Sequence, residues 1–493
     1  MKLSIRSPRQ DYIKEMAELV GLFFFPIELT EAETDLSVLH TEQMRSGQRH
    51  CTISLSGCLS GSYANSQAPG SHPLEDKRLH KRQVKLALYQ ALKEATGRQP
   101  PWGSLTGIRP TRLVYEALAQ GLSLEQASQR MVKLFDVRPE NASLLAQIVT
   151  VQQALPQAAP DEVDVYIGIP FCPSRCRYCS FISMQVGRGN LLEPYTQALI
   201  SEIEAAVQLM ADGGLRSRAF YMGGGTPTAM TADQLCRILS AAQPLMRPAR
   251  ERTVEAGRPD SMDEARLQAI RDAGVERVSV NPQTSFDQTL SAIGRAHTRE
   301  QAEQAFRLSR KMGFSCINMD LIAGLPGENA DMFTQTLDWV QALHPDNLTV
   351  HTLCVKRSSD MHRLQDSLPE GEQVASMVQQ GRAAAHRLNM QPYYLYRQKH
   401  MAGNQANVGY AKPGLACLYN VDTMEDNVSV LALGAGGISK KVTSGRALVS
   451  RSPNVKEVNH YISRVGEMIA RKRELFLQGP EANVLAQELE PLA

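Results

Sequence analysis

At 493 residues the chain is longer than one hydrophobic core usually grows, so two or three domains are expected. Apolar residues make up 43%, charged residues 21%, and the formal net charge is +2, which leaves no global electrostatic case for nucleic-acid binding. The longest apolar stretch near the N-terminus, residues 19–27, is too short to span a bilayer and is interrupted by Pro26, so no membrane span is expected.

Residues 1–6 read as a strand, 11–22 as an amphipathic helix, and 50–56 as a second strand alternating polar and apolar residues. Residues 57–72, rich in Gly, Ser and Asn, read as a loop. Apolar residues then recur at helical spacing over 74–96, 110–119, 124–134 and 139–155, which makes 1–155 an α/β N-terminal extension. Two stretches within it carry charge. The run Lys77-Arg78-Leu79-His80-Lys81-Arg82-Gln83-Val84-Lys85 is either an attractor for an acidic ligand or a solvated helix face. Trp102-Gly103-Ser104-Leu105-Thr106-Gly107-Ile108-Arg109-Pro110 is either an anion-holding loop or a plain entry to a helix.

Pro156 and Pro160 mark a linker, beyond which strands and helices alternate. Candidate strands are 164–169, 219–222, 252–256, 277–280, 317–322 and 348–352, separated by helical patterns at 192–210, 232–242, 263–272, 299–312 and 332–343. Six β/α repeats imply a parallel sheet covered by helices, with ligands at the C-terminal ends of its strands. Farther on, Pro392-Tyr393-Tyr394-Leu395-Tyr396-Arg397-Gln398-Lys399-His400 offers tyrosines and cations that either flank a flat macrocycle and its carboxylates or form a strand packed on the sheet. Gly434-Ala435-Gly436-Gly437 follows an apolar strand without a Walker lysine and reads as a turn.

The chain is organised around Cys172, Cys176 and Cys179, spaced C-x3-C-x2-C directly after the first apolar run of the repeats. Three thiolates on a tight loop suit three corners of a four-iron cube with one iron left open. A structural zinc site normally takes four ligands, and no fourth Cys or His lies within ten residues of Cys179. The nine cysteines form no disulfide framework and no secretory leader pattern precedes them, so a reducing, cytoplasmic setting is expected. Pro173, Arg175 and Arg177 interrupt the loop with residues that a core segment would avoid.

These residues resemble the radical S-adenosylmethionine (SAM) enzymes, and more narrowly the oxygen-independent coproporphyrinogen III oxidase family. The narrower resemblance rests on the stretch from Tyr166 to Cys172, on Gly223-Gly224-Gly225-Thr226-Pro227-Thr228, and on Asp320-Leu321-Ile322-Ala323-Gly324-Leu325-Pro326, and covers roughly residues 160–440. The long N-terminal extension and the stretch from Tyr393 to Gly409 are most similar to the coproporphyrinogen dehydrogenase branch. The resemblance implies an open (β/α)6 partial TIM barrel over 156–360, an α/β extension before it, and a mainly helical region over 361–493 that covers the substrate. It implies a 4Fe-4S cluster on Cys172, Cys176 and Cys179, and SAM contacts from Tyr166, Gly224 and Glu255. Tyr178, Gly225, Thr226, Gln283, Arg295 and Asp320, with the backbone near Cys354, resemble contacts to a second SAM.

The activity implied is decarboxylation of coproporphyrinogen III to protoporphyrinogen IX by a 5'-deoxyadenosyl radical, with an unidentified electron donor and no catalytic side chain beyond the cofactors. Many oxidases of the group carry a further cysteine two places after the third; here that residue is Phe181, as in relatives that act as haem chaperones. A haem-binding chaperone and a radical SAM methyltransferase acting on haem therefore stand as the alternatives. For Arg295 and Asp320 a structural ion pair is the competing reading.

Overall fold

The computed structural model describes residues 1–24, 26–180, 183–187, 189–356, 359–361, 368–399, 401–443 and 449–477. The described residues form two compact units: Met1–Val149 with Tyr396–Gln405, and Thr150–Leu395 with residues 406–477.

In the second unit the apolar runs become adjacent parallel strands: β1 (Glu162–Ile169), β2 (Arg216–Gly224), β3 (Glu251–Gly257), β4 (Arg277–Gln283), β5 (Cys316–Ala323) and β6 (Asn347–Thr352). Burial of both sheet faces explains why these runs are near-continuously apolar. The helices α1 (Leu192–Asp212), α2 (Ala232–Ala241), α3 (Glu264–Asp272), α4 (Arg299–Lys311) and α5 (Ala330–Leu343) alternate with them. Four of the five start at a polar cap. Thr231 with Gln234 and Thr298 with Gln301 form reciprocal capping boxes, and Asp263 and Asn329 each accept from the third backbone N–H beyond them. Each cap satisfies an amide that the first helical turn leaves open.

The later chain adds α6 (Gly371–Arg387), α7 (Leu418–Glu425) and α8 (Val458–Leu477), together with β7 (Gln391–Tyr396), β8 (Asn407–Ala411), β9 (Ser429–Leu433), β10 (Ile438–Val442) and β11 (Val449–Pro453). Strand order across the sheet is β7-β8-β6-β5-β4-β3-β2-β1-β9-β10-β11. β9 runs parallel to β1, whereas β8 is antiparallel to β6. The six-unit parallel core is thus open, with later strands laid along both of its edges. Gly434 to Gly437 is the turn between β9 and β10, and the Gly434 N–H donates to Glu202 Oε2 at 2.7 Å, so a carboxylate of the chain already fills that position.

The first unit holds a five-stranded sheet in the order Glu28–Leu29, Lys2–Arg6, Leu36–Arg45, Gln48–Gly57, Gly61–Gln67. Its core packs Leu3, Met16, Val38, Ile53 and Leu88 from this sheet and from the helices Ile13–Val20 and Pro73–Thr96. The loop expected over 57–72 is corrected: Gly61–Gln67 pairs antiparallel with Gln48–Gly57. It is an edge strand with no residue fully buried, so its polar composition carries no apolar alternation to read. The solvated-face reading of residues 77–85 is corrected as well, because His80, Lys81 and Lys85 are buried.

Candidate functional site

β1 ends at Ile169, and Pro170 turns the chain into the cysteine loop. None of the nine cysteines is in a disulfide. Backbone bonds brace the loop from both sides. Arg177 N–H donates to Ile293 O at 2.9 Å, and Val186 N–H donates to Cys172 O at 3.0 Å. Arg258, at the C-terminal end of β3, donates to Ser174 O at 3.1 Å and reaches Cys176 Sγ at 3.5 Å, while Asp260 holds its other side at 2.7 Å. Among the described residues no three His, Cys, Asp or Glu side chains cluster closely enough for one ion.

Three glycines run from the end of β2, and Gly225 lies against this loop. A Cβ on Gly225 would stand 2.5 Å from Phe171 O and 3.0 Å from Cys172 Sγ; one on Gly223 would stand 2.6 Å from Glu255 Oε2. Gly224 has φ +107, a conformation that side chains disfavour. Gly225 N–H donates to Ile169 O and Thr226 N–H to Phe171 O, both at 2.7 Å, and Thr226 Oγ1 lies 3.5 Å from Cys172 Sγ. Only glycine allows the second strand to approach the thiol loop this closely.

The remaining candidates line the same strand ends. Burial pushes the Glu255 carboxyl up to about 7, against the hydrogen bond it receives from the Tyr221 hydroxyl. Asp320 behaves oppositely. Burial works against its charge, but hydrogen bonds from His351, Asn318 and Thr349 prevail and hold it below the ordinary carboxylate range. Asn318 Nδ2 donates to it at 2.8 Å, and His351 Nε2 lies 3.6 Å away. Arg295 does not pair with Asp320: its guanidinium donates to the Tyr178 hydroxyl at 3.0 Å and to Asn281 O at 3.2 Å. Gln283 is buried at φ +71, with no hydrogen-bond partner for Oε1. Strain and an unmet acceptor together cost about 2–5 kcal/mol, a combination that fits a ligand-facing position.

The sequence reading missed Arg258, Tyr221, Tyr419 and His351. Tyr419 from α7 stacks on Tyr221 at 4.4 Å between ring centres, and Tyr166 lies 6.4 Å from Tyr221. Arg258 was within reach of sequence reasoning, since it directly follows the strand that carries Glu255. The stretch around Tyr393 is packed strand rather than an open aromatic wall: Tyr393 and Tyr394 are buried, Arg397 donates to Leu105 O and Lys399 pairs with Glu18. Phe181 and His400 lie outside the described residues.

The radical SAM superfamily model matches residues 166–340. The oxygen-independent coproporphyrinogen-III oxidase-like protein HemZ of Bacillus subtilis (strain 168) is 33% identical over 480 residues, covering 94% of this chain and 95% of the relative. The chain belongs to the oxygen-independent coproporphyrinogen III oxidase family of radical SAM proteins. This superfamily works with a 4Fe-4S cluster and SAM, and three thiols outside any disulfide on one braced loop fit that cluster. The haem chaperone HemW of the same bacterium is 28% identical over 311 residues, covering 61% of this chain and 76% of its own. In fold the chain is similar to coproporphyrinogen III oxidase (HemN) from Escherichia coli, with a TM-score of 0.52 and 22% identity over 64% of this chain and 72% of that one.

Proposed function

We propose that this radical SAM protein carries out the oxygen-independent oxidative decarboxylation of coproporphyrinogen III to protoporphyrinogen IX, in haem biosynthesis. Cys172, Cys176 and Cys179 would hold three irons of the cluster, and the fourth would be open to SAM. Tyr166, Gly224 and Glu255 would contact that SAM; Tyr178, Gly225, Thr226, Gln283, Arg295 and Asp320 would contact a second. When bound, these cofactors supply the hydrogen-abstracting radical, and the protein supplies position and dryness.

The residues support this division of labour. Glu255, close to half ionised at neutral pH, suits a cationic ammonium as its partner. Asp320 stays ionised and suits ribose hydroxyls. Gln283 Oε1 lacks a donor that a ligand would supply. At each propionate a carbon-bound hydrogen atom leaves, the bond to the carboxylate breaks, carbon dioxide departs, and one further electron passes to an acceptor outside the chain. A reductant for the cluster is also needed from outside. The cytoplasm, with its reduced thiols, is the proposed setting; among the described residues no helix is long and apolar enough to cross a membrane.

The observation that carries this reading is the extent of the similarity to the oxidase-like relative, which runs through both compact units. The match to a haem chaperone over 61% of the chain favours the second reading, haem binding without decarboxylation. Anaerobic turnover of coproporphyrinogen III with reconstituted protein, SAM and a reductant separates them. Vinyl product, seen by fluorescence after oxidation and lost in C176A, is expected. Bound haem with no vinyl product would replace the oxidase reading with the chaperone one.

A further inference from the structure

In the first unit, the two charged stretches of the N-terminal extension meet. Lys85, on the helix Pro73–Thr96, donates to Thr106 Oγ1 at 2.8 Å, in the loop that also carries Ser104 and Leu105. Around this contact a shallow recess opens to solvent, lined by Arg82, Lys85, Leu86, Ser104, Leu105 and Phe135. We propose that this recess binds a single oxyanion, the phosphate or carboxylate group of a small ligand.

Charge balance is the argument. Lys85 is only 6% exposed, and its sole bonded partner among the described residues is a neutral hydroxyl. The nearest carboxylates, Glu15 and Glu18, are held by Lys81 and Lys399. Arg82 lies over the Phe135 ring at 5.2 Å, its Nε is buried with no partner, and its surroundings include Arg78 and Arg130 as well as one carboxylate, Glu116, which pairs with Arg78 at 3.7 Å. Behind the loop Arg397, 5% exposed, is satisfied only by Leu105 O at 2.6 Å and the Trp102 ring at 5.5 Å, with an unpaired Nε and no carboxylate near it. Burial, with repulsion from Lys81 and Arg82 and against attraction from Glu15 and Glu18, has pushed the Lys85 amine down to about 8, and burial alone has pushed the Arg397 guanidinium down to about 9.

Burying cations without counter-charge is unfavourable, and no stability requirement explains placing three of them around one loop. An oxyanion between Lys85 and Arg82 would supply the missing acceptors and charge. A neighbouring recess, sharing Leu105 and lined by Gly107, Arg112, Leu113 and the carboxylate Glu116, opens beside it for the rest of the ligand. The inference does not rest on the cluster or on the proposed decarboxylation.

The test is calorimetric titration of the full-length protein at low ionic strength with inorganic phosphate and, separately, with propionate. Binding tighter than about 1 mM is expected for at least one of them. Phosphate alone identifies a phosphorylated ligand, and propionate alone a carboxylate ligand. R82Q and K85M should each weaken binding at least tenfold. Without anion, K85M should melt no lower than the wild type, because it removes an uncompensated buried charge; the rise in Tm caused by the anion should disappear in it. Absence of binding by both anions, or unchanged binding in R82Q and K85M, overturns the proposal. So does a K85M protein that is destabilised without anion yet stabilised by anion as fully as the wild type.

Discussion

Glu255 on β3 and Asp320 on β5 lie on parallel strands with β4 between them, and their environments push them in opposite directions. Asp320 has three donors around it; Glu255 has the Tyr221 hydroxyl and the Gly224 amide, too few to offset burial. A raised carboxyl makes a definite pH signature. Between its ordinary 4.5 and about 7 the folded state keeps a proton that the unfolded chain releases, so the contribution to stability is full below 4.5 and is lost as pH rises through 7. E255Q holds a neutral group at every pH. Its stability relative to the wild type should therefore improve by about 1–3 kcal/mol from pH 5 to pH 8, read as the shift in denaturation midpoint of the cofactor-free protein. A difference independent of pH would mean that Glu255 is ionised throughout. The same reasoning explains why this residue was legible only in part: a glutamate after a strand advertises a rim position, but its proton affinity depends on Tyr221 and the glycine beside it, which come from another strand.

At the scale of elements, legibility followed burial. The six core strands were readable because a strand covered on both faces must be apolar along its length, and their helices because each shows one apolar stripe. Leu36–Arg45 and Gly61–Gln67 escaped because half or more of their side chains face solvent, and their pairing is fixed by partners elsewhere in the chain. Long-range polar hubs escaped as well. Glu202 on α1 accepts from Lys472 at 2.7 Å, Tyr461 at 2.6 Å, Asn454 at 2.9 Å and the Gly434 amide at 2.7 Å, so one carboxylate fastens α8 and the β9–β10 turn to the first helix. Glu202 and Lys472 are 1% and 2% exposed in their side chains, which makes the loss of one partner costly. K472M is expected to destabilise the second unit by about 3–5 kcal/mol, and E202Q by a similar amount. The double variant should fall short of their sum by about 1–3 kcal/mol, because the second change removes a charge already left unpaired. Additive losses in denaturant titrations would show that the two side chains do not act together.

For the whole molecule, chain connectivity and compact units do not coincide. Tyr396–Gln405 belongs to the first unit although 246 residues of the second, Thr150–Leu395, separate it from Val149. Within the first unit this returning segment is well held: Asn404 Nδ2 donates to Leu22 O at 2.7 Å, Arg397 N–H to Ile108 O at 2.8 Å, and Lys399 pairs with Glu18. Sequence reading drew a boundary at the proline-bearing linker and had no means of seeing the return, since nothing in the composition of residues 396–405 says which sheet or loop will receive them. The arrangement predicts how the protein behaves when cut. A site for a sequence-specific protease inserted between the exposed Gln157 and the half-buried Ala158 would sever every covalent link between residues 1–157 and the remainder. The two pieces should nevertheless elute together from a sizing column under native conditions, because residues 396–405 stay embedded in the first unit. Replacing Arg397 and Asn404 together by alanine removes their side-chain donors to Leu105 and Leu22, and should turn co-elution into separation in moderate salt. Prompt separation of the nicked protein with both side chains intact would mean that the returning segment is not bound as described.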